Sequence, residues 1–435
     1  MYRLINILMS CLFGLNNSCL VYASTNANEQ PLEEQLCINS SPESHCWEGT
    51  KCKKCYCKKT DKLNNLVVLS LSMLKSNGIN TKGDVIIPEV INVNGEKKTV
   101  IGIGQNVFTE NKEITSIQLP STIKEIDDFA FNECVNLKKI NLPEGLEVIG
   151  RAAFQLCSNL QEIKLPDSVK KIGDFAFNHC PAIQGTSFKL PASIEKIGRR
   201  NDAPTHTFYD FGSNEMAKFE LSNENQYYKV EDGILYSKDK SLILSIPNGK
   251  VFNDNTFIMP DTVNKLGELS FGRNQNIKTL VLSDNLKIDD ELTPNQRECF
   301  NNKGNKLNLG IYGYCSVSKY VTKSTNHYYT SNDGILYNKN MTKLVAVPCQ
   351  YNGTINIPEG VKVWKSDAIW TDYIDYFDGI SLNKITEIDI PSTITHIDKS
   401  QLEGLNYMHD KYQTILKVNV NNKCYKNENG HIKKI

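Results

Sequence analysis

Two sets of cysteines have the type and spacing to do chemistry. Five fall close together, Cys37, Cys46, Cys52, Cys55 and Cys57. Three more, Cys134, Cys157 and Cys180, return at a step of 23 residues and close the phrases AFNEC, AFQLC and AFNHC. For the first set, Cys52-x-x-Cys55 with His45-Cys46 has ligand-like spacing for zinc. No second Cys-x-x-Cys pair or His pair completes that site. In an oxidising compartment, disulfides are the expected chemistry of so dense a cluster. Four of the five can make two bridges and one is left over, with the connectivity open. Lys51, Lys53, Lys54, Lys58 and Lys59 interleave the cluster. They read as the solvated face of a small knot, with a patch for an anionic surface as the sharper alternative.

The periodic thiols could form a metal or redox stack. Neighbouring coils of a repeat lie ~4.8 Å apart, near disulfide Cα separations, but a disulfide also demands opposed Cβ directions. In-register side chains point the same way, so the expectation is three buried, unbridged thiols that pack as small hydrophobes. The seven histidines, His45, His179, His206, His327, His396, His409 and His431, make no His-Glu-x-x-His motif. None adjoins a nucleophile motif, and no phosphate-cradling Gly-rich loop occurs. Neither an enzyme nor a cofactor is expected.

The elements that position these residues follow from the period. A fixed repeat of this length signals stacked coils, each too small to bury both its sides alone. Phe108, Phe131, Phe154 and Phe177 keep the 23-residue step, as do Pro120, Pro143 and Pro166. Leu137-x-x-Ile140-x-Leu142 alternates as a half-buried strand does, and Pro143 ends it. The following GLEVIGRAAF returns the chain over the far side. A parallel ladder through Ile117, Ile140 and Ile163 is expected, with the phenylalanines stacked in the opposite wall. The spacing breaks at 185–218 and 284–326. YYKVEDGILYSKDKSLILSIP at 227–247 and YYTSNDGILYNKNMTKLVAVP at 328–348 are two copies of a second unit, read as hairpins inserted in the stack. A truncated third copy, CYKNENGHI, lies at 424–432.

Residues 1–23 read as a secretory signal, with Arg3, an apolar run from Leu4 to Val21 and a small-residue site at Ala23. Residues 24–62 form the cysteine-rich leader. Residues 63–105 read as an N-terminal cap, a helix over 63–78 followed by a hairpin at Asn94-Gly95. Residues 106–435 form the repeat array. Lys+Arg and Asp+Glu are both 49, and this neutral balance argues against a nucleic-acid partner. No integral membrane span is expected after signal cleavage.

The phrase AFxxCxxLxxIxLPxxVxxIGxxAF, with YxxxDGILYxK…LxxxP, resembles the BspA-type leucine-rich-repeat proteins over roughly residues 84–435. The resemblance implies an α+β repeat solenoid. Its right-handed coils would stack a parallel β-sheet on the concave face. It also implies a secreted or cell-surface protein that binds a host, matrix or cell-surface protein and performs no catalysis. The concave positions that would meet such a ligand are Ser116, Gln118, Lys139, Asn141, Glu162, Lys164, Glu387 and Asp389, with Thr279 and Val281 between them. The tyrosines Tyr227, Tyr228, Tyr236, Tyr328, Tyr329 and Tyr337 gather instead on the second unit. Matched positions in two copies favour packing roles for them. A structural spacer without a ligand is the alternative reading. Asn39, Asn340 and Asn352 head Asn-x-Ser/Thr triplets, acceptor sites in any cell that glycosylates exported proteins.

Overall fold

A computed structural model describes residues 47–48, 51–52, 66–198, 207–267, 270–286, 316–364, 368–369 and 384–435. The proposed signal, Asn39 and most of the cysteine-rich leader lie outside these residues. Of the leader, only the short antiparallel pair Trp47–Glu48 and Lys51–Cys52 is described. The chain divides into two compact units, one of residues 1–67, 90–100 and 291–305 and one of the remainder. In the first, Val90–Val93 and the start of the strand Glu96–Ile103 form an antiparallel hairpin. Its turn is Asn94-Gly95, both at positive φ (53° and 87°), as the dipeptide predicts.

The second unit is built of parallel ladders, and the 23-residue period appears as their register. The outer ladder joins Gly83–Ile86, Ile114–Gln118 and Lys139–Asn141, pairing Val85, Ile117 and Ile140 in one column. A bridge from Lys139 to Glu162 carries it one coil further. Ile117 and Ile140 are buried, whereas Ile163 is only half-buried where the ladder ends. Over residues 101–198 the far side of each coil holds no helix. It carries a second parallel ladder, in which the end of Glu96–Ile103 is followed by two-residue strands, pairing Ile103, Ile126, Ile149, Ile172 and Ile197 in turn. A glycine follows four of these isoleucines, Asp127 following Ile126, and lets the coils close up: a Cβ on Gly173 would lie 2.4 Å from the Arg151 nitrogen, and one on Gly150 2.5 Å from the Asp128 nitrogen.

The corner between the ladders has its own hydrogen bonds. The N–H groups of Asn106, Phe108 and Glu110 donate to the carbonyls of Asp128, Ala130 and Asn132 at 2.7–3.2 Å. Phe129, Phe131 and Glu133 donate in the same way to Arg151, Ala153 and Gln155, and Ala152, Phe154 and Leu156 to Asp174, Ala176 and Asn178. The first and third donor of each triplet sit at φ near +60° without being glycine, a conformation costing roughly 1–2 kcal/mol per residue that the stack enforces at every turn. Inside this corner Phe108, Phe131, Phe154 and Phe177 stack at 5.2, 5.3 and 5.5 Å, nearly parallel and fully buried.

The remaining elements depart from the sequence reading in three places. The expected helix over 63–78 is a strand, Leu66–Leu69, then a short helix, Leu71–Ser76, with Ser70 accepting from the Met73 N–H. The second units are three-stranded meanders, not simple hairpins. Tyr228–Glu231, Ile234–Ser237 and Leu242–Ser245 pair antiparallel in sequence, and the third strand joins Lys265–Leu266 in parallel. The extra reversal lies at Asp232-Gly233, both at positive φ. Tyr329–Asn332, Ile335–Asn338 and Lys343–Ala346 repeat this, the last pairing with Val363–Trp364. Finally, a 14-residue helix, Lys399–Tyr412, buries Leu405 and Met408 in the last core, beside the terminal hairpin Tyr425–Glu428 and His431–Lys434.

Candidate interaction surface

The outward positions of the first sheet form two columns. Asp84, Ser116, Lys139 and Glu162 align in one, and Ile86, Gln118 and Asn141 in the other. Gln118, Lys139, Asn141, Glu162 and Lys164 are exposed, and Ser116 is half-buried. Several are engaged along the stack. Ser116 donates to Asp84 at 2.6 Å, and this bond is the main cause holding the Asp84 carboxyl below its ordinary range. Lys139 pairs with Glu162 at 2.8 Å. Asn141 accepts from the Leu119 N–H and donates to its carbonyl, closing the strand edge.

Glu387 and Asp389 lie on a different sheet, formed by Gly353–Asn356, Ile385–Ile390 and Ile415–Val418. Both are half-buried, and Lys417 pairs with Glu387 at 2.7 Å. Thr279 and Val281 lie on a third sheet with Thr256–Ile258 and Lys319–Val321. There the outward column of Ile258, Val281 and Val321 is apolar, with Ile258 exposed. Nine of the ten positions are therefore spread over three sheets, and Lys164 lies just past the bridge at Glu162, outside any strand.

The tyrosines are mostly core. Tyr228, Tyr236, Tyr329 and Tyr337 are buried, and only Tyr227 and Tyr328 are exposed. Burial pushes the Tyr228 hydroxyl up to about 12, and the hydroxyl accepts from the Ile197 N–H at 2.7 Å. Tyr425 does the same for Ile397 at 2.8 Å. A buried asparagine precedes each hairpin. Asn225, Asn326 and Asn422 each accept from the two backbone N–H groups two and three residues on. Each also donates to carbonyls of an earlier coil. The sequence reading passed over these asparagines, although their spacing to the tyrosine is the same in all three copies.

The thiols of Cys134, Cys157 and Cys180 are buried and unbridged. One cluster of charge went unread. Asp210 is buried and accepts from His179 Nδ1 at 2.9 Å and from Arg273 at 3.1 Å. Burial pushes its carboxyl up, but the His179 hydrogen bond and the charges of His179 and Arg273 outweigh this and hold it below its ordinary range. Residues 31 and 63 apart in sequence gave no local signal of it. Among the described residues, no group of three or more His, Cys, Asp or Glu could hold a metal ion. No helix there is long and apolar enough to cross a membrane. Asn340 and Asn352 are exposed.

Residues 91–201 match the model of the BspA type leucine rich repeat region in 6 copies. That part of the chain is a BspA-type leucine-rich-repeat region. Among solved structures, the chain is similar to a leucine rich cell surface protein of Faecalibacterium prausnitzii A2-165, at 19% identity over 78% of this chain and 88% of that one, TM-score 0.44. It is also similar to the pneumococcal vaccine antigen PcpA, at 18% identity over 81% and 91%, TM-score 0.43. A third is a leucine-rich repeat protein from Eubacterium ventriosum ATCC 27560, at 13% identity over 78% and 94%, TM-score 0.40. No curated protein matches the chain.

Proposed function

We propose that this chain is a secreted or surface-exposed, non-catalytic leucine-rich-repeat protein that binds another protein of a host, matrix or cell surface. Its coils would wind as a right-handed solenoid, with the outward residues of the parallel sheets as the contact face. The observation that carries this reading is a BspA-type repeat region whose reactive groups, the periodic thiols and most hairpin tyrosines, are packed away. What it offers a partner is a side-chain surface of Gln118, Lys139, Asn141, Glu162 and Lys164. The test is binding of the full chain to a panel of extracellular-matrix proteins and to whole cells, with the double variant Lys139→Glu, Lys164→Glu as control. Saturable binding that the double variant weakens several-fold supports the sheet face. Binding that it leaves unchanged moves the contact elsewhere.

One observation favours the spacer reading. The outward charges are largely neutralised along the stack, by Lys139 with Glu162, Lys189 with Asp167 and Lys417 with Glu387. Absence of saturable binding to every member of the panel would decide for it.

A further inference from the structure

The three copies of the second unit differ in charge. Residues 223–238 carry Lys229 and Lys238 against Glu224, Glu231 and Asp232. Residues 324–339 carry Lys339 against Asp333. Residues 420–435 carry Lys423, Lys426, Lys433 and Lys434 against Glu428 alone. Two copies are close to neutral and the third is basic, in a chain with 49 basic and 49 acidic residues.

The third copy turns this charge to solvent. Tyr236 and Tyr337 are buried in their meanders, whereas Lys433 at the matching position is exposed. Lys426 and Lys433 face each other across the hairpin and share Glu428, at 2.5 and 2.9 Å. Lys423 and Lys434 are exposed and have no acidic partner among the described residues. Their backbones come together at the open end of the hairpin, where the Ile435 N–H donates to the Cys424 carbonyl at 2.8 Å. Beside them lies the turn Val420-Asn421, closed by the Asn422 N–H on the Asn419 carbonyl at 2.9 Å. Val420 is 96% exposed, the most exposed large apolar residue among those described. The first two copies place Asn223 and Ser324 at that position.

We propose that the open end of the terminal hairpin docks on an anionic membrane surface. Lys423 and Lys434 meet the charged lipid headgroups, and Val420 enters the boundary between headgroups and acyl chains. The occupant follows from complementarity. Clustered lysines are drawn to the negative surface potential of such a bilayer, and their apolar stems can lie along its interface. An acidic polysaccharide would match the lysines and leave the protruding valine in water. The contact is separate from the outward sheet positions, so its failure leaves the reading above untouched.

The measurement is co-sedimentation of the full chain with vesicles of phosphatidylcholine alone and of phosphatidylcholine with one third phosphatidylserine. The expected result is binding to the mixed vesicles, at least tenfold weaker to the neutral ones and lost at high salt, which screens exposed charges. The double variant Lys423→Glu, Lys434→Glu should weaken binding to the mixed vesicles at least tenfold. Val420→Asn, which restores the residue type of the first copy, should weaken it several-fold. All three positions are exposed, and each variant is first matched to the wild-type circular dichroism spectrum. A variant that fails this check is replaced by the milder Lys423→Gln, Lys434→Gln or by Val420→Ser. No preference for the mixed vesicles, or binding that the lysine variant leaves unchanged, overturns the proposal. So does a loss confined to the lysine variant while Val420→Asn binds as wild type does, because the lysines would then serve a polyanion.

Discussion

The Cys157 thiol donates to the Phe131 carbonyl 3.1 Å away, in the coil before its own. Cys134 does the same to Phe108 and Cys180 to Phe154, at 3.0 and 3.1 Å. The thiol thus acts as a small apolar filler with one donor, tying each coil to the last. Asparagine takes the same register position at 111 and 274, where it also donates to carbonyls of earlier chain. The role is therefore that of a donor tying one coil to earlier chain.

Burial pushes the Cys134 thiol up to about 12 and raises Cys157 and Cys180 as well. All three should resist iodoacetamide in the native chain at pH 8, because the thiolate is the reacting form. They should react fully in guanidinium. Mapping by mass spectrometry checks this, and rapid native labelling of Cys157 would contradict the packing described. Cys157→Ala should cost about 1–2 kcal/mol in denaturant unfolding, from a small cavity and a lost hydrogen bond.

The phenylalanine stack gives a graded series. Phe154 has a ring on each side at 5.3 and 5.5 Å, whereas among the described residues Phe108 has a stacked ring on one side, at 5.2 Å. Phe154→Ala should cost ~3–5 kcal/mol through cavity formation. Phe108→Ala should cost less, by about 0.5–1.5 kcal/mol for the missing ring pair. Urea midpoints of the two variants test the order.

The repeat, its strand column and the phenylalanine stack were legible because one 23-residue step carries all of them, from Phe108 to Phe177 and from Ile117 to Ile140. The second ladder was not. Its strands after Glu96–Ile103 are two residues long, as at Val148–Ile149, too short for alternation to register. The Asp232-Gly233 turn carries a standard hairpin signal, but it lies inside the run VEDGILY, whose apolar flanks read as one strand. The Lys139–Glu162 and Ser116–Asp84 contacts depend on which residues face each other across coils. The period fixes that register, yet side-chain reach along the column decides which pairs close.

Asp210 couples three coils to pH. Its carboxyl sits below the ordinary range in the fold, so it contributes stability that is full above the unfolded value of about 3.9 and is lost as pH falls through the folded value. Asp210→Asn should therefore destabilise the chain at pH 5 by roughly 1.5–3 kcal/mol, the worth of hydrogen bonds to charged partners. The difference from wild type should shrink as pH drops below about 4. A difference that stays constant down to pH 2.5 would show that Asp210 carries no such linkage.

Two buried tyrosines should answer the same substitution with opposite signs. The Tyr228 hydroxyl accepts from the Ile197 N–H at 2.7 Å. Tyr228→Phe leaves that buried N–H without a partner, at a cost of about 1–3 kcal/mol. The Tyr337 hydroxyl is buried and meets no partner among the described residues, and Tyr337 is fully enclosed in the core around Trp364. Removing that oxygen takes away a desolvated polar atom and leaves the ring in place, so Tyr337→Phe should be neutral or stabilising by up to about 1 kcal/mol. Thermal unfolding of the two variants side by side measures both. The comparison also bears on binding: with both rings in the core, neither substitution should alter affinity for a partner at the sheet face. A loss of binding by a fully folded Tyr337→Phe variant would place the contact on the meander instead.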